Sequence, residues 1–327
     1  MANNPSSVAY LGPEGSYSHQ AAQSFYPTPS PPLLPLPSIS AVFSAIQSRS
    51  APLGVVPLEN STNGPVVTTL DILTDALRAP HGARFRNVRA VGLGVLQIRM
   101  CLLGLPGAKR KNPQGEDEYA IERILTHPQA WTQCSRLLAR LKSQVPGLVQ
   151  VDAASTSEAA RMAAEDGSGG TAAIASREAG RAAGLEVLEA DVHDRDDNGT
   201  RFLLLRYCEE EELAAMEGKG GAGVPQLGLT TGGQHKTMIA FTVAHDRPGA
   251  LADALAVFKT RGLDLTSINA RPSGEVPWHY VFLVEFFGRR GETGVEEALE
   301  DLREAAEKWV WLGSWSCPKE MWPVEER

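Results

Sequence analysis

Short apolar runs that end in turns, each followed by a stretch with helical spacing, set the pattern of the first two thirds of this chain. Residues 7–11 (SVAYL) predict a strand, and GPEGSYSHQAAQSF after it predicts a turn and then a helix. Residues 27–38 hold six prolines and predict an extended surface connection, neither helix nor central strand. Helical spacing returns over 39–49, an apolar strand follows over 53–56, and 66–77 is helical again. Residues 88–103 form a long strand-like run broken at Gly92 and Gly94, long enough to cross between two lobes. A charged loop, 106–118, carries Lys109-Arg110-Lys111, which reads as a solvated insertion.

The alternation then resumes. Strands are expected at 124–126, 149–151 and 172–175, with helical segments HPQAWTQCSRLLARLK, ASTSEAARMAAE and REAGRAAG between and after them. Residues 202–206 add one more strand. Short strands alternating with helices imply a mainly parallel sheet covered on both faces. After the acidic run 209–212, a glycine-rich stretch from 218 to 234 predicts a linker. Beyond it the order becomes strand 237–243, helix 249–261, strands 263–268 and 278–287, helix 295–309 and strand 310–315. That βαββαβ order is the ferredoxin-like unit.

Composition narrows the function classes. With 43% hydrophobic and 21% charged residues, the 327-residue chain suits two or three packed domains. A net charge of −8 argues against nucleic acid or an anionic membrane as partner. The four cysteines are widely spaced, with no CxxC or Cys/His pairing, so no metal site is expected. No basic and apolar leader opens the chain, and no apolar run is long enough to span a membrane. The expected location is therefore the cytoplasm, with reduced cysteines and with Asn60-Ser61-Thr62 and Asn198-Gly199-Thr200 left unglycosylated.

Polar clusters close three of the strand-turn units: Gly15-Ser16-Tyr17-Ser18, Glu59-Asn60-Ser61-Thr62-Asn63 and Ser155-Thr156-Ser157. Each suits helix capping. Together, at strand ends of an open α/β sheet, they suit a cleft for a small anion, because helix N-termini present free N–H groups. In DRDDNGTRFLLL, Thr200 and Arg201 enter an apolar strand, and Arg201 needs an acceptor there, either a bound carboxylate or a structural acid. His127, before Pro128, can line a cleft or cap a helix. Dinucleotide, Walker, HExxH and GxSxG patterns are absent.

These segments, in order, resemble the prephenate dehydratase family: GPEGSYSHQAA, VVPLENSTNGPV, THPQAWTQC, STSEAAR and DRDDNGTRF. The tail resembles an ACT domain, with Gly249-Ala250-Leu251 at its first effector motif and Asn269-Ala270-Arg271-Pro272 at its second. The resemblance implies a two-lobed catalytic domain similar to type 2 periplasmic binding proteins over 1–208. Its lobes would cover about 7–92 with 190–208, and about 93–189. A linker, 209–236, and a regulatory ACT domain, 237–327, would follow. It implies a lyase that needs no cofactor, converts prephenate to phenylpyruvate, is inhibited by phenylalanine, and forms a homodimer or homotetramer.

Thr200 is the expected catalytic residue, with Arg201, Glu59, Asn60 and Ser61. Ser16, Tyr17, Ser155, Thr156, Asn198, Phe202 and His127 are expected at the substrate. Gly249, Ala250, Leu251, Asn269, Arg271 and Pro272 are expected at the effector. Leu93 and Met100 stand where the family often has Glu and His, and Asn269-Ala270 where it usually has Glu-Ser. Arogenate dehydratase and a non-catalytic amino-acid sensor are the alternative readings, and the ACT tail could serve only in dimer contacts.

Overall fold

The structure, a computed structural model, describes residues 7–25, 31–78, 82–217 and 234–317. Of the expected linker 209–236, residues 218–233 lie outside the described residues, whereas Glu210–Glu217 is a helix and 234–236 open the strand Gln234–Thr242. The first prolines of the 27–38 stretch also lie outside the described residues.

Two sheets form the catalytic part. The first runs in the order Val88–Gln97, Gly199–Tyr207, Leu53–Asn60, Val8–Leu11, Leu33–Leu36. Leu33–Leu36 lies within the proline-rich stretch and is an edge strand parallel to Val8–Leu11, a position where Pro35 costs no interior ladder bond. The second sheet runs Val149–Asp152, Arg123–Thr126, Thr171–Ala175, Cys101–Gly104, Glu186–Glu189. The long apolar run thus divides as expected, its first part in one sheet and its second in the other. The chain crosses back over 190–198. Hydrogen bonds tie the two crossings together, from Val192 N to Met100 O at 2.8 Å and from Ile98 N to Asn198 O at 2.8 Å.

Three local expectations change. The second sheet is mixed, because Cys101–Gly104 runs antiparallel to both its neighbours. The charged loop holds a small hairpin, Lys109–Lys111 with Asp117–Tyr119, in which Asp117 meets both lysines. The helix expected through HPQAWTQCSRLLARLK breaks at Thr132–Cys134 into Pro128–Trp131 and Ser135–Gln144. Asp194 sets the break. Its carboxylate accepts from the backbone N–H groups of Ser135 at 2.7 Å and Arg136 at 3.1 Å. A carboxylate at a helix start satisfies donors that have no intrahelical partner.

The C-terminal part has the expected βαββαβ order, with sheet order Leu265–Pro272, Tyr280–Phe287, Gln234–Thr242, Lys308–Cys317. Helices Ala250–Thr260 and Thr293–Ala305 bury Ala254, Phe258, Leu299 and Leu302 against it. This sheet does not stand apart. Its last strand continues into the first catalytic sheet through one register pair, Gly313 to Ala90. Charged contacts reinforce the seam, including Arg271 Nε to Asp71 Oδ1 at 2.6 Å and Arg201 Nη1 to Glu285 Oε1 at 2.9 Å.

Candidate active site

A cavity of about 330 Å³ lies between the two catalytic lobes. Ser16, Tyr17 and Ser18 border it from the start of one helix, and Ser155, Thr156 and Ser157 from the start of another. Ser16 Oγ accepts from His19 N at 3.2 Å, and Ser155 Oγ accepts from Glu158 N at 3.0 Å. Both serines are N-caps, so capping and lining are one arrangement rather than alternatives. The helix starts come from opposite lobes and both border the cavity, and helix N-termini carry N–H groups without intrahelical partners. No Lys or Arg is among the residues lining this cavity. The groups that line it and could meet an anion are helix termini, hydroxyls, amides and the His127 ring.

The crowded segment Glu59–Asn63 now has a physical explanation. Asn60 Oδ1 accepts from Thr62 N at 3.0 Å and Asn63 N at 2.9 Å. Two backbone donors on one atom fix the amide's orientation, so its nitrogen must face the other way. There Asn60 Nδ2 donates to Asn198 Oδ1 at 2.8 Å and to Thr200 Oγ1 at 3.0 Å. Asn198 is buried, and its own Nδ2 donates to Gln133 Oε1 at 2.7 Å. A polar chain thus runs from Gln133 in one lobe to Thr200 in the other. Thr200 Oγ1 accepts from Asn60, so its own proton is not used in that bond, and Thr200 borders the cavity.

The strand Gly199–Tyr207 places Thr200 and Phe202 on the cleft side, two residues apart as the strand period requires. Phe202 is a wall residue, joined by Ile98, Met100, Ile39 and Ala130. Met100, standing where a histidine is usual, adds an apolar surface, and its sulfur lies 3.6 Å from the sulfur of Cys134. Tyr17 also lines the cleft, and its hydroxyl donates to Arg99 O at 2.9 Å, tying one lobe to the crossing.

His127 both lines the cavity and caps a helix, its Nδ1 accepting from Gln129 N at 3.3 Å. Burial pushes its pKa below the usual 6.5, while Asp152 pulls weakly the other way. The folded protein therefore favours the neutral ring. As pH falls through 6.5 the unfolded chain takes up this proton first, so His127 subtracts stability on acidification. A proton NMR titration is expected to give this ring a midpoint below 6.5; a midpoint at or above 6.5 would contradict the burial argument.

Three expected catalytic residues are not brought into the cavity. Strand alternation turns Arg201 to the opposite side of the sheet, where Glu59 at 2.5 Å and Glu285 at 2.9 Å take its guanidinium. Glu59 is thus engaged by Arg201, on the side of the sheet away from the cavity. Ser61 completes a backbone ladder, its N–H donating to Gly199 O at 2.8 Å and its Oγ accepting from Gly199 N at 3.0 Å. Asn198 sits behind the lining and orients it. Gln133 and Asp194 carry no motif signal of their own, because the sequence predicts a continuous helix around Gln133.

Of the effector candidates, Gly249 caps the helix Ala250–Thr260 with φ of 86°, Ala250 is buried at its first position, and Leu251 packs on the same core. Asn269, Arg271 and Pro272 lie on the edge strand Leu265–Pro272. Arg271 is engaged by Asp71 of the catalytic part.

A family model described as prephenate dehydratase matches residues 8–210. The chain belongs to the prephenate dehydratase family. An ACT domain model matches residues 237–304. The chain is 31% identical over 340 residues to a probable prephenate dehydratase of Saccharomyces cerevisiae, covering 96% of this chain and 97% of that protein. It is 32% identical to the Arabidopsis thaliana protein named arogenate dehydratase/prephenate dehydratase 2, covering 94% of this chain and 72% of that one. The crystal structure of an Arthrobacter aurescens prephenate dehydratase in complex with L-Phe matches with a TM-score of 0.76 at 26% identity, over 98% of this chain and 92% of that one. A structure described as GqqA, a novel type of quorum-quenching acylase, matches with a TM-score of 0.74 at 26% identity, over 96% and 99%. The prephenate dehydratase and ACT parts thus account for both halves of the fold. No helix among the described residues is long and apolar enough to cross a membrane.

Proposed function

We propose that the cleft removes water and carbon dioxide together from prephenate to give phenylpyruvate. One observation carries this reading: the Thr200 hydroxyl, oriented by Asn60, faces a cavity bounded by two opposed helix N-termini. Prephenate has two carboxylates, and each would take one helix start, at Ser16–Ser18 and at Ser155–Ser157. The bond from the ring to its carboxylate breaks and releases carbon dioxide. That electron pair moves through the ring, and the carbon–oxygen bond to the hydroxyl breaks. The departing oxygen takes one proton and leaves as water, and the ring becomes aromatic.

Thr200 donates the hydrogen bond to the leaving oxygen, and solvent supplies the net proton. Asn60, Asn198 and Gln133 hold that hydroxyl in place. Phe202, Ile98 and Met100 give the ring an apolar wall. Such a wall disfavours the charged carboxylate more than the neutral carbon dioxide it becomes. Phenylalanine acts as the inhibitor through the ACT domain, at Gly249, Ala250, Leu251, Asn269, Arg271 and Pro272. The enzyme works in the cytoplasm as a homodimer or homotetramer.

Arogenate has an amine where prephenate has a ketone, and the relatives include proteins named for either substrate. The test is turnover of both by one purified preparation. The reading expects a higher kcat/KM for prephenate. A preference for arogenate would move the assignment to that substrate, and activity on neither would overturn the dehydratase reading for this chain.

A further inference from the structure

We propose that Glu285, a residue of the ACT domain, is a positioning residue for the reaction in the catalytic cleft. The inference rests on Thr200 acting on the substrate, and it extends that reading to a residue outside the cleft lining.

Glu285 lies on the strand Tyr280–Phe287, and its side chain is fully buried. Its carboxylate accepts from Arg201 Nη1 at 2.9 and 3.1 Å, from Lys236 Nζ at 2.8 Å and from Thr266 Oγ1 at 2.8 Å. Burial alone raises the carboxyl pKa, but Arg201 and Lys236 outweigh it, and the group stays below the usual carboxylate value. Arg201 also gives Nη2 to Glu59 at 2.5 Å. Two cations and two carboxylates thus form a charge-balanced set across the domain seam.

The position of this set matters more than its strength. In the antiparallel ladder Thr200 pairs with Asn60 and Arg201 with Glu59, and the register then shifts so that Phe202 meets Pro57. The Arg201–Glu59 pair therefore sits at an irregularity, where Leu58 is the extra residue and the ladder is locally disrupted. Holding Arg201 holds Glu59, and these two neighbour Thr200 and Asn60 along each strand. A buried ion set is a poor source of net stability compared with apolar packing, yet it can specify register. Glu285 supplies the anchor from the regulatory sheet. Through it, a displacement of Tyr280–Phe287 reaches the Thr200–Asn60 hydrogen bond in two links.

The decisive experiment compares full-length wild type with Glu285→Gln and with the charge-balanced double variant Lys236→Met/Glu285→Gln. Prephenate kinetics and amide hydrogen exchange over 199–207 are both measured without phenylalanine. For either folded variant, kcat is expected to fall about 10- to 100-fold with KM little changed, the scale of a small misplacement in an active site. Exchange at Thr200 and Arg201 is expected to quicken while the second lobe is unaffected. If the single variant fails to fold, the double variant carries the test, because it leaves no unbalanced buried cation. A folded variant with wild-type kcat overturns the role of Glu285 and leaves the dehydratase reading intact. If wild type itself is inert on prephenate, the function fails separately, and unchanged exchange in the variants would then overturn the positioning role as well.

Discussion

Replacing Thr200 by alanine is expected to lower kcat about 10²- to 10⁴-fold, the range of one positioned proton donor. The fold should survive, because a methyl group replaces a small side chain that makes one side-chain hydrogen bond, to Asn60. KM is expected to change little, since the helix starts that would hold the two carboxylates are untouched. Steady-state kinetics with prephenate, together with a thermal melt, decide the matter. Thr200→Ser keeps the hydroxyl on the same β carbon and should retain far more activity than Thr200→Ala. If alanine and serine gave equal turnover, the hydroxyl would have no part in the chemistry.

A single methyl group at Gly313 is expected to damage the protein more than its size suggests. A β carbon built there would stand 2.1 Å from Ala90 O and 2.8 Å from Ala90 C. Both are backbone atoms, so no side-chain rotation can relieve the contact. The strands Lys308–Cys317 and Val88–Gln97 must separate at the pair that joins the ACT sheet to the catalytic sheet. Gly313→Ala should therefore cost at least about 1–3 kcal/mol, as overpacking does. In a chain of this size that lowers Tm by several degrees. If phenylalanine inhibition passes through this seam, it should weaken in parallel. An unchanged Tm and unchanged inhibition would show that the two sheets are not mechanically joined through Gly313.

Much of the architecture was legible in the order of short strands and helices, and in the change of grammar after the glycine-rich stretch. The division of the 88–103 run between two lobes also followed from its length. Local chemistry is less legible. Ser16 and Ser155 were recognisable as helix starts, and their convergence followed from the rule that strand ends form clefts. Arg201 is the instructive case. It stands between Thr200 and Phe202, and a period of two already places it on the other face from both. Of the two acceptors open to it, a bound carboxylate or a structural acid, that face supplies the acids Glu59 and Glu285.

Other features were hidden for physical reasons. Gln133 sits in a helix break that depends on Asp194, a partner 61 positions away in the chain. Nothing local in THPQAWTQCS marks the break. The continuity of the two sheets depends on one glycine meeting one alanine across more than two hundred residues. Glu285 reads, in YVFLVEFF, only as a charge inside a strand. Such a residue requires a buried partner, but the sequence alone does not say that the partner is Arg201.

The central claim is that one cleft couples loss of carbon dioxide to loss of water from prephenate, under control of phenylalanine. The most direct measurement is the amount of carbon dioxide and phenylpyruvate released from prephenate by the purified protein, repeated across a phenylalanine titration. The account predicts equal amounts of the two products, formed at a rate that falls as phenylalanine rises. Unequal amounts, or no release at any phenylalanine concentration, would contradict it.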